Sequence, residues 1–227
     1  MQIHIYHCLE GAKKAHGLTV LFDVFRASNT IIASLTNGAE FLLPVGDLED
    51  AYHLKQHHPN HLLLGERNGV PPEGFDGDNS PAKAAAMDLQ GKAIILTTSA
   101  GSQGIVHATQ VDQLLIGSFA NAEAIARYIR SRQPEVVSLL AIGLKAAEPA
   151  YEDEACARYL QDLLTCNLSD FQDIHTELMS CEGADRLRRL HQTEDLKFCT
   201  TLNSHSTIPV FDPDNKRIIE LSQFSRF

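Results

Sequence analysis

The sequence has no apolar run long enough to span a bilayer, which takes about 20 consecutive apolar residues. Its first residues, MQIHIYHCLEGAKKAHG, also lack a basic region followed by an apolar segment and a small-residue cleavage site. The five cysteines are scattered without a CxxC pair, which indicates neither a zinc cluster nor a disulfide framework. We therefore expect a cytoplasmic protein with reduced, packed thiols and no membrane partner.

Positive charge is also scarce, with 19 Lys and Arg against 29 Asp and Glu and a formal net charge of -10. Recognition of a phosphate backbone needs clustered basic residues, so nucleic acid is not expected as a partner. A small anion can still bind where a few Arg residues, helix N-termini or a divalent cation reverse the field locally. We expect a small-molecule partner and a possible homodimer, the commonest soluble assembly.

Strand-length apolar runs alternate with helical patterns, which predicts an α/β fold with a mostly parallel sheet flanked by helices. The length of 227 residues allows one large domain or two small ones. We divide the chain into an N-terminal α/β lobe, residues 1–118, and a C-terminal α/β lobe, residues 119–227, with the site between them. The predicted strands are 18–22, 41–45, 61–64, 93–96, 114–116 and 136–142, with two short ones at 207–210 and 217–221. The predicted helices are 27–37, 48–57, 81–87, 103–107, 121–131 and 152–164, followed by a helical region from 170 to 199.

Polar residues follow several of these strands. Asp23 and Arg26 come after the first, Glu66 and Arg67 after the third, and the run Thr97 to Ser102 after the fourth. In parallel sheets the loops at the carboxyl ends of the strands share one edge, where ligands bind. We therefore expect these carboxylates, hydroxyls and guanidinium groups at one rim.

The segment from Gly65 to Pro81, GERNGVPPEGFDGDNSP, has the most unusual composition of the chain. Gly and Pro break helices and strands, while Asn, Asp and Ser compete for backbone hydrogen bonds, so a long, shaped loop rich in oxygen ligands is predicted. A solvated surface turn would have a similar composition. The length of the segment and Phe75 in its middle favour a functional loop.

Asp23 and Arg26 lie in the segment DVFRAS, at the end of an apolar strand. A carboxylate there can bind Mg²⁺ or act as a nucleophile, and an Arg can clamp a phosphate or carboxylate. A helix-capping Asp paired with a nearby Arg is an equally good interpretation of this segment alone. The segment does not match the DxDx[TV] signature of the large aspartyl-phosphate phosphatase superfamily.

The hydroxyl-rich turn from Thr97 to Ser102 is predicted to open a helix. Backbone N–H groups and hydroxyls at a helix start suit a phosphate or sulfonate, although Ser and Thr also cap helices for structural reasons. The turn has neither the Lys nor the spacing of a Walker A loop. Nucleotide triphosphate binding is therefore not predicted.

Two further groups of titratable residues have a structural and a functional interpretation. Glu152, Asp153 and Glu154 precede an apolar-faced helix, where they would complement the helix dipole or serve as hard-cation ligands. The histidines of the segment His57 to His61 are interrupted by Pro59 and are expected to end a helix, without a metal role.

Five segments together resemble the 2-phosphosulfolactate phosphatase family. They are DVFRASNTIIASLTNGAE from Asp23, GERNGVPPEGFDGDNSP from Gly65, TTSAGSQG from Thr97, IGSFANAEAIARYI from Ile116 and YEDEACARYLQDLL from Tyr151. The resemblance runs from about residue 18 to residue 210, with the motifs in family order. It implies a Mg²⁺-dependent acid phosphatase with a two-lobed α/β fold, which converts 2-phospho-3-sulfolactate to 3-sulfolactate and phosphate in coenzyme M biosynthesis.

The resemblance also implies roles for individual residues. Catalysis is expected from Asp23, Arg26 and Glu66, with Asp23 either attacking phosphorus or only holding the metal. The expected metal ligands are Asp23, Glu66, Asp76 and Asp153. Substrate and phosphate contacts are expected from Arg67, Asn79, Ser80, Thr97, Thr98, Ser99, Gly101 and Ser102.

Two departures from the family pattern concern the substrate. The chain has Ser99-Ala100-Gly101-Ser102 where one form of the family has Thr-Asn-Gly-Thr, so an Asn side chain is absent, and Asp78 stands where Gly is common. Two alternatives therefore stay open beside a phosphatase acting on 2-phospho-3-sulfolactate. One is a non-catalytic protein that binds a small anion, and the other is a phosphatase of the same mechanism acting on a different phosphorylated acid.

Overall fold

The computed structural model describes residues 1–167 and 169–224. Within them, nine strands form one mostly parallel sheet flanked by helices, which confirms the predicted fold class. The strands are β1 (Gln2–His7), β2 (Gly17–Phe22), β3 (Phe41–Pro44), β4 (Leu62–Gly65), β5 (Ala93–Thr97), β6 (Val111–Gly117), β7 (Val136–Ala141), β8 (Pro209–Asp212) and β9 (Arg217–Glu220). The helices are α1 (Cys8–Ala12), α2 (Ala27–Thr36), α3 (Leu48–His57), α4 (Pro81–Ala86), α5 (Gly101–His107), α6 (Ala122–Arg132), α7 (Tyr151–Thr165), α8 (Phe171–Ser180), α9 (Glu182–Arg189) and α10 (Thr193–Cys199).

The sheet consists of two parallel groups joined by a hairpin from the end of the chain. Its strand order is β1-β7-β2-β6-β8-β9-β3-β5-β4. The hairpin β8–β9 pairs antiparallel with β6 on one side and with β3 on the other. Because three antiparallel pairings separate β6 from β3, the two parallel groups run in opposite senses along the sheet.

Apart from β1 at the edge of the sheet, the parallel strands are mostly apolar on both faces because both faces are covered. Along β2, Val20 and Phe22 belong to one core cluster with helices α6 to α10, while Leu21 between them belongs to a second. The second cluster includes Leu21 together with Leu96 of the other parallel group. Both groups of strands therefore contribute to the second core.

The loops after β2 and β5 meet although these strands lie in opposite groups. Neighbouring strands are rotated by about 20–25°, so strands five places apart in the sheet differ by roughly 100° or more. A Cβ atom added to Gly101, just after β5, would lie 2.8 Å from Oδ2 of Asp23, just after β2. The two groups run in opposite senses, so parallel pairing alone does not give them a shared edge, yet the loops after β2 and β5 lie together as expected.

The predicted strands and helices match the structure to within a few residues, but β1 and α1 were not predicted. β1 pairs with β7, so strands from both sides of residue 118 share one sheet. The division into lobes at that position stays a prediction. In the described part of the chain, no helix combines the length and the apolar character needed to cross a membrane.

Candidate active site

A cavity of about 260 Å³ lies where the loops after β2, β4 and β7 meet helices α7 and α9. Among the described residues, seven charged side chains line it. They are the acidic Asp23, Glu66, Glu152 and Asp153 and the basic Arg26, Lys145 and Arg186. So many charges around one small cavity indicate a polar ligand rather than an apolar one.

Asp23 ends β2 and is held by backbone donors from two directions. Its Oδ1 accepts a hydrogen bond from the N–H of Ala27 at 3.3 Å, and the N–H of Gly101 also donates to the carboxylate. Glycine is needed at position 101 because a Cβ there would lie 2.7 Å from the Cβ of Ala27. Burial raises the pKa of Asp23 to about 6, and the nearby Glu66 adds to the rise while the N–H groups and Arg186 oppose it.

Asp153 and Glu152 come from the first turn of α7. Asp153 accepts hydrogen bonds from the N–H of Val24 at 2.7 Å and of Gly143 at 2.8 Å, so it joins the loops after β2 and β7. Burial raises the pKa of Asp153 well above its usual value, and the charges of Asp23 and Glu152 raise it further. Burial also raises the pKa of Glu152. The pKa of each of these carboxyl groups would fall if a cation lay among them.

Glu66 joins two loops through both carboxylate oxygens. Its Oε2 accepts from the N–H of Gly69, and its Oε1 accepts from the N–H of Ser99, both at 2.7 Å. Each oxygen keeps a second lone pair for a ligand. Glu66 therefore orders the loop after β4 against the loop after β5 while it lines the cavity.

Arg26 forms a buried ion pair that sequence reasoning missed. Its Nη1 lies 2.7 Å from Oδ2 of Asp195 in α10, and each of the two side chains is 3% exposed. Asp195 also accepts from the hydroxyl of Ser80 at 2.5 Å and from the N–H of Ala82 at 3.1 Å. Arg26 also donates to the carbonyl of Gly69 at 3.2 Å. Ser80, predicted to contact substrate, thus anchors the start of α4 to Asp195.

The predicted hydroxyl-rich turn is largely occupied by hydrogen bonds within the protein. The Thr97 hydroxyl accepts from Nη2 of Arg67 at 2.8 Å. The hydroxyl of Thr98 accepts from the N–H of Ser102 at 2.9 Å, and the Ser102 hydroxyl accepts from the N–H of Thr98 at 3.0 Å. Of this turn, Ser99 and Ala100 line the cavity.

Of three polar residues in the loop from Gly65 to Pro81, one lines the cavity and two lie outside it. Asn79 lines the cavity, is 3% exposed, and its Oδ1 has no hydrogen-bond partner within the described part of the chain. Asp76 lies outside the cavity, where it pairs with Lys55 at 2.8 Å. Asp78 pairs with Lys83, also at 2.8 Å, and does not line the cavity. The structure therefore brings Asn79 to the site but neither of the two aspartates.

Lys145 and Arg186 were also missed from the sequence. Lys145 lies three residues beyond the predicted strand 136–142, so a longer search at that strand end would have included it. Arg186 lies on α9, within the predicted helical region from 170 to 199, where no strand end marks it as a site residue. Its guanidinium lies 3.8 Å from Oε1 of Glu152 and donates to the carbonyl of Phe25 at 3.3 Å.

The carboxylates of the cavity fit a Mg²⁺ ion that the protein binds together with water and substrate, rather than one that protein ligands surround completely. Within residues 1–167 and 169–224, no three His, Cys, Asp or Glu side chains form a ready chelating group. Mg²⁺ commonly takes only one or two carboxylates, with waters and substrate phosphate oxygens as its other ligands. Asp23, Asp153 and the unpartnered Oδ1 of Asn79 are hard oxygen donors of this kind.

The raised pKa of Asp23 predicts how stability depends on pH when divalent cations are removed. Folded Asp23 keeps its proton up to about pH 6, whereas the unfolded chain releases it near 3.8. The folded state then binds more protons than the unfolded state between these values, so this residue makes the free energy of unfolding fall as pH rises. Urea unfolding in EDTA between pH 4.5 and 7 should show this fall, and added Mg²⁺ should reverse it at pH 7. Equal stability with and without Mg²⁺ at pH 7 would contradict a cation site here.

Comparison with known proteins gives a consistent match over most of the chain. The family model described as 2-phosphosulpholactate phosphatase matches residues 3–214. A probable 2-phosphosulfolactate phosphatase from Carboxydothermus hydrogenoformans is 32% identical over 242 aligned residues that cover the whole of both chains. One from Caldicellulosiruptor saccharolyticus is 31% identical over 201 residues, covering 79% of this chain and 83% of the relative. One from Microcystis aeruginosa is 28% identical over 233 residues, covering 92% and 96%.

Proposed function

The chain belongs to the 2-phosphosulfolactate phosphatase family, and we propose that it hydrolyses the phosphate monoester of a small acid with Mg²⁺ as its cofactor. The observation that carries this proposal is Asp23, a buried carboxylate on the cavity wall beside Glu66 and close to Arg186. We propose 2-phospho-3-sulfolactate as the substrate to test first, since the relatives are named for it.

Phosphoryl transfer needs the charge of the phosphoryl oxygens balanced and a nucleophile placed in line with the leaving oxygen. Bound among the carboxylates, Mg²⁺ would neutralise part of that charge. Arg26 and Arg186 line the same cavity and keep N–H groups beyond those used in their contacts with Asp195 and Glu152. The side-chain amide N–H of Asn79, which also lines the cavity, could donate a hydrogen bond to a further phosphoryl oxygen.

Asp23 has the central part in this mechanism. A carboxylate at this position acts only in its ionised form, whether it holds the cation or attacks phosphorus. Its pKa of about 6 keeps that form in the majority at neutral pH. The backbone donors Ala27 and Gly101 fix its orientation, so the reacting group is in place before substrate binds.

Phosphate release from a panel of phosphorylated acids tests the proposal. The panel includes 2-phospho-3-sulfolactate, 2-phospholactate, phosphoglycolate and 3-phosphoglycerate, each assayed with Mg²⁺, with EDTA, and with EDTA followed by excess Mg²⁺. We expect release from at least one substrate, its loss in EDTA and its recovery with Mg²⁺. Phosphate release that continues unchanged in EDTA would contradict the proposal that Mg²⁺ is the cofactor. No release from any substrate would favour a protein that only binds a small anion, which the missing Asn at Ala100 also allows.

A further inference from the structure

Among the described residues, two cations at or beside the cavity have no acidic partner, unlike Arg26 and Arg186. Arg67 donates to three neutral oxygens, the carbonyls of Glu66 and Gly46 and the hydroxyl of Thr97, at 2.7, 3.1 and 2.8 Å. Lys145 is exposed, and in the described part of the chain its ammonium group forms no hydrogen bond or ion pair. The positive charges of Arg67 and Lys145 are thus uncompensated.

These two cations line the same open recess of about 350 Å³, directly beside the cavity. The recess and the cavity share Asn68, Ser99 and Lys145. Among the described residues lining the recess, Asp47 is the only acidic one. The charged side chains of the cavity are four acidic and three basic, whereas those of the recess are two basic and one acidic, and a single ligand could occupy both.

The side chains at the junction of cavity and recess are unpartnered. Within residues 1–167 and 169–224, neither the amide of Asn68 nor the hydroxyl of Ser99 makes a hydrogen bond, and Lys145 likewise has none. They come from three loops, those after β4, β5 and β7. Three separate donors therefore surround one opening.

The backbone at two of these residues is in the left-handed region, with φ +56° at Asn68 and φ +53° at Lys145. Asn adopts this region readily, whereas Lys does so rarely, so the strain lies at Lys145. Pairing of Arg67 with Val70 closes one loop, and pairing of Leu144 with Glu148 closes the other. Strain of this kind persists where the surrounding structure imposes it and is concentrated at functional sites.

We propose that the recess binds the second strong-acid group of the substrate, a sulfonate, while the phosphate ester occupies the cavity. This inference rests on the proposed phosphatase function and identifies the residues that select the substrate. A planar carboxylate is best matched by the free fork of an Arg, but both terminal nitrogens of Arg67 are already engaged. Separate donors from Lys145, Ser99 and Asn68 suit the three oxygens of a tetrahedral sulfonate, and Arg67, which lines the same recess, adds its positive charge.

The variant Lys145→Met tests this assignment, because it removes the charge, keeps the length of the side chain and leaves a residue with the same backbone preference. The measurement is the ratio of kcat/KM for 2-phospho-3-sulfolactate to kcat/KM for 2-phospholactate, which lacks the sulfonate. We expect the ratio to fall roughly 10- to 100-fold, as the loss of a hydrogen bond to a charged group predicts. Lys92→Met is the matched control, since Lys92 is an exposed lysine at the opposite end of β5.

A second measurement separates this proposal from the phosphatase function itself. Binding of the product analogue 3-sulfolactate, compared with lactate by calorimetry, needs no turnover. If wild-type protein hydrolyses neither ester, the phosphatase proposal fails, and 3-sulfolactate binding that weakens at least 10-fold in Lys145→Met still supports the subsite. A ratio or a 3-sulfolactate affinity that stays within two-fold of wild type in folded Lys145→Met would overturn the subsite.

Discussion

The substitution Asp23→Asn is expected to abolish turnover while making the cation-free protein more stable. Loss of the ionised carboxylate should lower kcat by roughly 10³-fold or more, the scale seen when a main charge-stabilising group is lost in phosphoryl transfer. The buried charge also destabilises the fold. A pKa raised from 3.8 to about 6 corresponds to at most about 3 kcal/mol at neutral pH. Steady-state kinetics with Mg²⁺ and urea unfolding in EDTA at pH 7 measure the two effects.

The comparison is sharpest with Asp112→Asn, an exposed aspartate at the start of β6, as the control. Asp112→Asn should change neither activity nor stability measurably. Asp23→Asn should in addition remove most of the fall in stability between pH 4.5 and 7 that wild type shows in EDTA. Wild-type turnover in folded Asp23→Asn with Mg²⁺ bound would exclude Asp23 from the mechanism.

Asp195→Ala is expected to have the largest destabilising effect of the substitutions considered. It leaves the guanidinium of Arg26 buried without its counter-ion and removes the acceptor of the Ser80 hydroxyl and the Ala82 N–H. Breaking a buried pair by removing one partner costs about 3–5 kcal/mol. Urea unfolding with Mg²⁺ present measures this cost.

Two further variants show whether the unpaired charge is the cause. Asp185→Ala removes an exposed aspartate that pairs with Arg188 at 2.7 Å, and it should cost less than about 1 kcal/mol. The double variant Arg26→Met with Asp195→Leu removes both charges and should be clearly more stable than Asp195→Ala, although inactive. If Asp195→Ala unfolds no more easily than Asp185→Ala, the ion pair does not stabilise the fold.

Most of the sheet could be predicted because buried parallel strands are apolar on both faces. β1 was missed for a related reason. It lies at the edge of the sheet, and its sequence, QIHIYH, has few apolar residues and two histidines, both of which are exposed. The opposite sense of the two parallel groups was also unpredictable, because only the pairings of β8 and β9 determine it.

The site could be predicted where residues directly follow a strand, as with Asp23 and Glu66. Both line the cavity, and their roles stay predictions. Asp195 and Arg186 could not be found this way, since they lie on helices of the last third and reach the site only through packing. Asp76 shows the converse limit. Its family motif placed it among the ligands, yet in the structure Lys55 and the N–H of Leu63 hold it outside the cavity.

The central position of the hairpin β8–β9 has a consequence for synthesis on the ribosome. Until β9 emerges, β6 and β3 each expose an unpaired edge, which is prone to pairing with other chains. Both strands of the hairpin follow all the other strands in the sequence. The two parallel groups can therefore be joined into one sheet only after every other strand has been synthesised.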